Sequence, residues 1–158
     1  MRRIKLFEEF ELLRNNPVEV VVGILIRSKR GRYFLLHRSD GRQLWSMMTG
    51  GQDVTDMDDR ATILREMEEE LMLKSGYNIK MEHIRDEEIK GKNRVLRYYI
   101  GHVDREFDVH LDHENLEWGW FNPNGDSIKN GSQHMWGLPS PLYPGIIEKI
   151  TEFEQRKS

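Results

Sequence analysis

The stretch Arg65-Glu66-Met67-Glu68-Glu69-Glu70-Leu71 places four carboxylates in five consecutive positions behind an arginine. In a helix, Glu66, Glu69 and Glu70 stand at i, i+3 and i+4 and project to one surface, within reach of a shared ion. Like charges at that spacing repel, and a bound divalent cation reverses the sign of the interaction. Carboxylate oxygens in a chain without cysteine point to Mg²⁺ or Mn²⁺ rather than to a structural zinc. Taken alone, the run also reads as a solvated helix face, so its surroundings decide.

Upstream, Met57, Ala61, Leu64, Met67 and Leu71 recur at three- and four-residue steps and predict an apolar stripe on a helix from about Met57 to Leu71, with Thr55 or Asp56 as cap. Glu66, Glu69 and Glu70 fall on the side away from that stripe. The helix follows Gly50-Gly51, where a chain without side chains lets phosphate or metal come close to the backbone. Further upstream, the β-branched run Val18–Ile26 and the run Tyr33–Leu36 flank Ser28-Lys29-Arg30-Gly31, the mark of a hairpin.

Downstream, the segments around 77–84 and 95–103 read as strands joined by a charged turn, Asp86-Glu87-Glu88-Ile89-Lys90-Gly91-Lys92-Asn93. Leu116–Phe121 reads as a short strand broken by Asn122-Pro123-Asn124-Gly125. The stretch 132–141, with His134 and Trp136, reads as a loop. Residues 1–16 suit a short N-terminal helix and 142–158 a final amphipathic one, on which Ile146, Ile147, Ile150 and Phe153 share a face. The order strands, helix, strands, helix predicts an α+β (α/β) domain with a mixed sheet.

The whole chain sets bounds on function. Its 158 residues fit one domain over 1–158, and a net charge of −3 gives no overall reason to hold nucleic acid or an anionic membrane. The absence of cysteine excludes disulfides and thiolate chemistry. No segment approaches the ~20 apolar residues that span a bilayer, and the N-terminus lacks a signal-peptide core, so a cytoplasmic protein is expected.

Written out, the central region is Gly51-x5-Met57-x7-Arg65-Glu66-Met67-Glu68-Glu69-Glu70-Leu71-Met72-Leu73. It resembles the Nudix box, Gly-x5-Glu-x7-Arg-Glu-U-x-Glu-Glu-x-Gly-U with U aliphatic. Gly51, Arg65, Glu66, Met67, Glu69, Glu70 and Leu73 match. The preceding hairpin, the tryptophan before Gly50-Gly51 and the later Glu117-Trp118-Gly119-Trp120-Phe121 extend the likeness over most of one Nudix domain. Met57 replaces the first Glu of the box, whose usual partner is the box arginine, so Arg65 is expected to turn to Asp56, Asp58 or Asp59. Met72 replaces the second Gly, a change expected to act on the helix end. Thr49 stands where Pro is common, and Trp45 is one residue further from the glycines than usual.

The resemblance implies an α/β/α sandwich and a Mg²⁺- or Mn²⁺-dependent hydrolase that cleaves a nucleoside diphosphate linked to another moiety. Nucleotide sugars, ADP-ribose-like compounds, dinucleoside polyphosphates and nucleoside triphosphates all stay open. A slight lean to diphosphate-linked compounds rests on the aromatic loop 132–141 as a cover for a second moiety. The metal site implied is Glu66, Glu69 and Glu70 with Gly50, and the catalytic set Glu66, Glu70 and Glu114, with His113 in reserve to Glu114 as base. Arg27, Arg38 and Arg42 are candidates for phosphate, and Trp45, Tyr99 and Trp136 for stacking on a base. Gly51 and Arg65 complete the box. The family's frequent dimers admit a homodimer here. The competing reading is a Nudix-fold nucleotide-binding or regulatory module that has lost turnover; a general acidic interaction domain is disfavoured by the matches at both ends of the box.

Overall fold

The computed structural model describes residues 18–73 and 78–157. The N-terminal helix expected in 1–16 lies outside them. Nine strands form one mixed sheet: β1 (Glu19–Ser28), β2 (Tyr33–Arg38), β3 (Trp45–Ser46), β4 (Met48–Gly51), β5 (Lys80–Ile89), β6 (Arg94–Val103), β7 (Asn115–Phe121), β8 (Asp126–Lys129) and β9 (Gln133–Trp136). Two helices, α1 (Asp59–Leu71) and α2 (Ile146–Lys157), complete the described elements. The strand order is β5-β6-β1-β2-β7-β8-β9, with β3 on β2 and β4 on β1. Only β1 and β6 run parallel among these pairs, from Glu19 opposite Arg94 to Ser28 opposite Val103.

The continuous apolar runs of β1 and β2 follow from burial on both faces of the sheet. Val22, Ile24, Ile26, Phe34 and Leu36 join Ile63, Met67 and Leu71 of α1 in one core. The alternate residues Leu25, Tyr33 and Leu35 join Ile146, Ile150 and Phe153 of α2 in the other. A sheet between two helix layers is the expected sandwich.

Several local expectations are corrected. The strand before the charged turn continues through Asp86-Glu87-Glu88 to Ile89, so the turn is only 90–93. The loop expected at 132–141 opens with β9, which pairs with β8 as the edge hairpin. The last helix begins at Ile146 rather than at 142. Asp58, not Thr55 or Asp56, caps α1, its carboxylate accepting from the Ala61 N–H at 2.8 Å. Met57 therefore lies outside the helix and is 95% exposed.

The other end of α1 closes with a left-handed cap at Met72. The Met72 N–H donates to the Glu68 carbonyl and the Leu73 N–H to that of Met67. Met72 takes the left-handed conformation, φ 56°, that glycine adopts freely. Its side chain is exposed, so Met72→Gly relieves the backbone and loses little packing. The variant is expected to be more stable by about 1 kcal/mol, read as a higher urea midpoint at unchanged slope.

Candidate functional site

The acidic helix meets the sheet at β4. Pairing with β1 sets Gly50 opposite Val22 and Gly51 opposite Val21. The Glu66 side chain lies so close over Gly50 that a Cβ there would sit 2.1 Å from its Cγ and 2.7 Å from its Cδ. Gly50 thus admits the first carboxylate of the run, while a Cβ on Gly51 would meet nothing within 4 Å.

Arg65 is the clamp of this corner. Its Nε and Nη2 donate to the two oxygens of Asp56 at 3.1 and 2.9 Å, and Nη2 also to the Gly51 carbonyl at 2.8 Å. Asp56 further accepts from the Asp53 N–H and the Thr62 hydroxyl. The arginine and these donors hold its carboxyl well below the usual range. Of the three aspartates considered as partner for Arg65, Asp56 fills the place of the box Glu. Asp59 instead binds Arg97 and Tyr99, which fastens the start of α1 to β6 and employs the Tyr99 hydroxyl there.

The phase of the helix differs from the expected stripe. Thr62, Ile63, Met67, Glu70 and Leu71 are buried, so Glu70 faces inward and only Glu69 of the three lies fully on the solvent side. The reason is the segment before β7, which crosses the end of α1: the His110 and Asp112 N–H groups donate to the carbonyls of Leu71 and Glu70. This brings Glu114 against Glu70. Ser39, at the end of β2, fastens the crossing, its hydroxyl donating to the carbonyls of His113 and Glu114 at 3.1 and 2.9 Å.

Burial comes first among the causes that push the Glu70 carboxyl up to about 8, followed by the hydrogen bond shared with Glu114 and the charge of Glu66; Arg38 opposes them. Burial likewise raises Glu66, against the pull of Arg65. Three carboxylates and Arg38 thus gather at one place. The shift has a consequence for stability. Between the ordinary 4.5 and about 8 the folded metal-free protein keeps a proton on Glu70 that the unfolded chain has released, so stability falls as pH rises through that window. Urea midpoints of the metal-free protein should show this decline, and Glu70→Gln should remove its share.

The remaining candidates are dispersed. Arg38 and Arg42 line a hollow of about 230 Å³ with Asp40, Gly41, Leu44 and Tyr143. Arg27 is on the α2 side, bound to Glu154 at 3.2 Å and lying over the Tyr33 and Phe153 rings. Trp45 is buried in the core beside α2, stacked on His37 and edge-on to Phe121. Trp136 is 70% exposed on β9 and pairs with Asp126, near the end of β7 remote from Glu114. The structure therefore brings neither Arg27, Trp45 nor Trp136 to the carboxylates, and the lean that rested on an overhanging aromatic loop loses its basis.

The chemistry of the donor set fits a hard divalent cation: carboxylate oxygens, one of which, Glu70 Oε2, is buried without a hydrogen-bond partner. The set is not preassembled. Among the described residues no three His, Cys, Asp or Glu side chains already converge as an ion-binding group. Arg65 Nη1 instead bridges Glu66 and Glu69 at 3.0 and 3.3 Å.

The family model described as the NUDIX domain matches residues 17–133. The chain belongs to the Nudix family. Among similar solved structures, a Caenorhabditis elegans Ap4A hydrolase binary complex is 27% identical, with 65% of this chain and 79% of that chain covered at a TM-score of 0.53. The Nudix domain of Shewanella oneidensis NrtR, solved with ADP ribose, is 17% identical over 95% of this chain and 99% of that one, TM-score 0.61. A Burkholderia pseudomallei MutT Nudix hydrolase is 19% identical over 84% and 95%, TM-score 0.60. The last two likenesses concern the fold alone. No curated protein matches the chain significantly. Among the described residues of this Nudix domain, no helix is long and apolar enough to cross a membrane.

Two features of this Nudix site had no signal in the residue pattern. One is Ser39 as a fastener of the Glu114 segment. The other is Asn115, which sits beside Glu114 and is buried.

Proposed function

We propose that this Nudix domain is a Mg²⁺- or Mn²⁺-dependent pyrophosphohydrolase that cleaves a nucleoside diphosphate linked to a further group by water attack on phosphorus. The observation that carries the reading is the inward-facing Glu70, hydrogen-bonded to Glu114 and under the charges of Glu66 and Arg38, with Glu66 packed on Gly50. Glu66, Glu69 and Glu70 with the Gly50 backbone would hold the metal, which supplies neutralisation of the pyrophosphate oxygens and a more acidic water. Glu114, exposed and against Glu70, is the base that accepts the proton of the attacking water. Arg38 and Arg42 offer guanidinium groups to phosphate oxygens from the adjoining hollow. Diphosphate-linked nucleosides and dinucleoside polyphosphates are the substrates of choice for a first test, given that similar structures include an Ap4A hydrolase and a Nudix domain complexed with ADP ribose. A nucleotide substrate and a cysteine-free chain suit a cytoplasmic setting.

The reading as a domain without turnover drew on Met57 and on the loop before Gly50. Asp56 now occupies the role that Met57 vacates, and Met48–Gly51 forms a regular strand, so neither feature favours it. Chelation supplies the test. EDTA should abolish nucleotide hydrolysis and added Mg²⁺ or Mn²⁺ restore it; hydrolysis indifferent to EDTA would contradict the proposal.

A further inference from the structure

Among the described residues, the buried side-chain polar atoms without a hydrogen-bond partner are three: Glu70 Oε2, Asn115 Nδ2 and Asn115 Oδ1. A buried amide that satisfies neither its donors nor its acceptor is costly, and its persistence calls for a reason. Asn115 is linked to Glu70 through two neighbours: it stands in register with Arg38, whose charge acts on Glu70, and it follows Glu114, which shares a hydrogen bond with Glu70.

The backbone explains how Asn115 comes to point there. His37 pairs with Glu117, but Arg38 pairs with Asn115, so Leu116 is an extra residue in β7 and is left exposed. Such a bulge moves the side chain beyond it, here that of Asn115, to the other face of the sheet. Without it Asn115 would share the α2 face with Glu117 and His37. With it Asn115 stands in register with Arg38, on the face that α1 covers.

We propose that the Asn115 carboxamide holds the attacking water, its Oδ1 accepting from that water and its Nδ2 donating to a phosphoryl oxygen. The assignment rests on the proposed hydrolysis and deepens it. Its neighbours decide between ligands. Arg38 is drawn to phosphate oxygens, and Glu114 accepts a proton. A molecule that needs a donor and an acceptor partner between them is water on its way to phosphorus. In the step, the water oxygen forms the new P–O bond as the bridging P–O bond breaks and its electron pair leaves with the departing phosphate. The water proton goes to Glu114, and Asn115 is chemically unchanged.

The test compares wild type with Asn115→Leu, an apolar side chain of similar shape, and Asn115→Gln, which keeps both hydrogen-bonding functions. Substrates are ADP-ribose and diadenosine tetraphosphate with Mg²⁺. Asn115→Leu should melt no lower than wild type, because it removes an unsatisfied buried amide. It should also lose at least about tenfold in kcat with KM changed by less than about twofold, the mark of an interaction made in the transition state. Asn115→Gln should recover part of kcat. A variant Asn115→Leu with wild-type kcat, or with a loss confined to stability, overturns this inference and leaves the proposed function standing. A wild-type protein inactive on every substrate overturns both.

Discussion

Glu70→Gln is expected to lower metal-dependent hydrolysis by about 10²–10⁴-fold while the protein stays folded, the size of effect seen when a positioned acid or base is removed. Retention of the fold follows from the state of the native side chain. Burial, Glu114 and Glu66 together favour the protonated Glu70 in the metal-free protein, and glutamine copies the shape and neutrality of that form. What glutamine cannot supply is the anionic oxygen that a cation would take up at the buried, unpartnered Oε2. Circular dichroism and a thermal melt should therefore match wild type near neutral pH, while turnover collapses. An equally active variant would mean that the inward-facing carboxylate has no part in the chemistry.

The second large effect concerns the two adjacent glycines, which the structure separates sharply. Gly50→Ala drives a methyl group into the Cγ and Cδ of Glu66, at 2.1 and 2.7 Å, so either β4 or the carboxylate has to move. Glu66 is also held by Arg65, and a misplaced carboxylate at a metal site costs about 10–100-fold in activity or affinity. Gly51→Ala meets nothing within 4 Å and has no positive φ to lose. It should stay within about 0.5 kcal/mol of wild-type stability and keep its activity. Parallel kinetics and melts of the two variants check the contrast. Equal behaviour would show that close packing of Glu66 on Gly50 does not set the site.

The helix, the hairpin before it and the sandwich were legible because local patterns carry them: an acidic run behind an arginine, β-branched runs around a glycine turn, and a box matched at both ends. The phase of α1 was not. Starting the helix at Met57 rather than after the Asp58 cap puts Ala61 and Leu64 on the stripe, whereas Thr62, Ile63 and Glu70 face inward. One residue of phase is a rotation of about 100°, and what turns Glu70 inward is a segment some forty residues distant in the chain that crosses over it.

The same distinction holds around the site. Glu114 was reachable from its place before the tryptophan strand, and Arg38 from its place after the hairpin. Asn115 was not, because the bulge at Leu116 that turns it is a property of strand pairing. Arg27 and Trp45 were drawn toward the site by residue type, whereas the period-two alternation of a sheet buried on both faces sends them to the α2 layer. The short strands β8 and β9 lack the length for a clear alternation, and Trp136 was read as part of a loop for that reason.

The acidic helix α1 is proposed as the hydrolytic site of a pyrophosphohydrolase. Its most direct test is release of phosphate, pyrophosphate and nucleoside monophosphate from nucleotide sugars, ADP-ribose, dinucleoside polyphosphates and nucleoside triphosphates with Mg²⁺ or Mn²⁺, alongside Glu70→Gln. Metal-dependent cleavage of at least one class, lost in Glu70→Gln, is the predicted result. Nucleotide binding without cleavage of any of them, in wild type and variant alike, would contradict it.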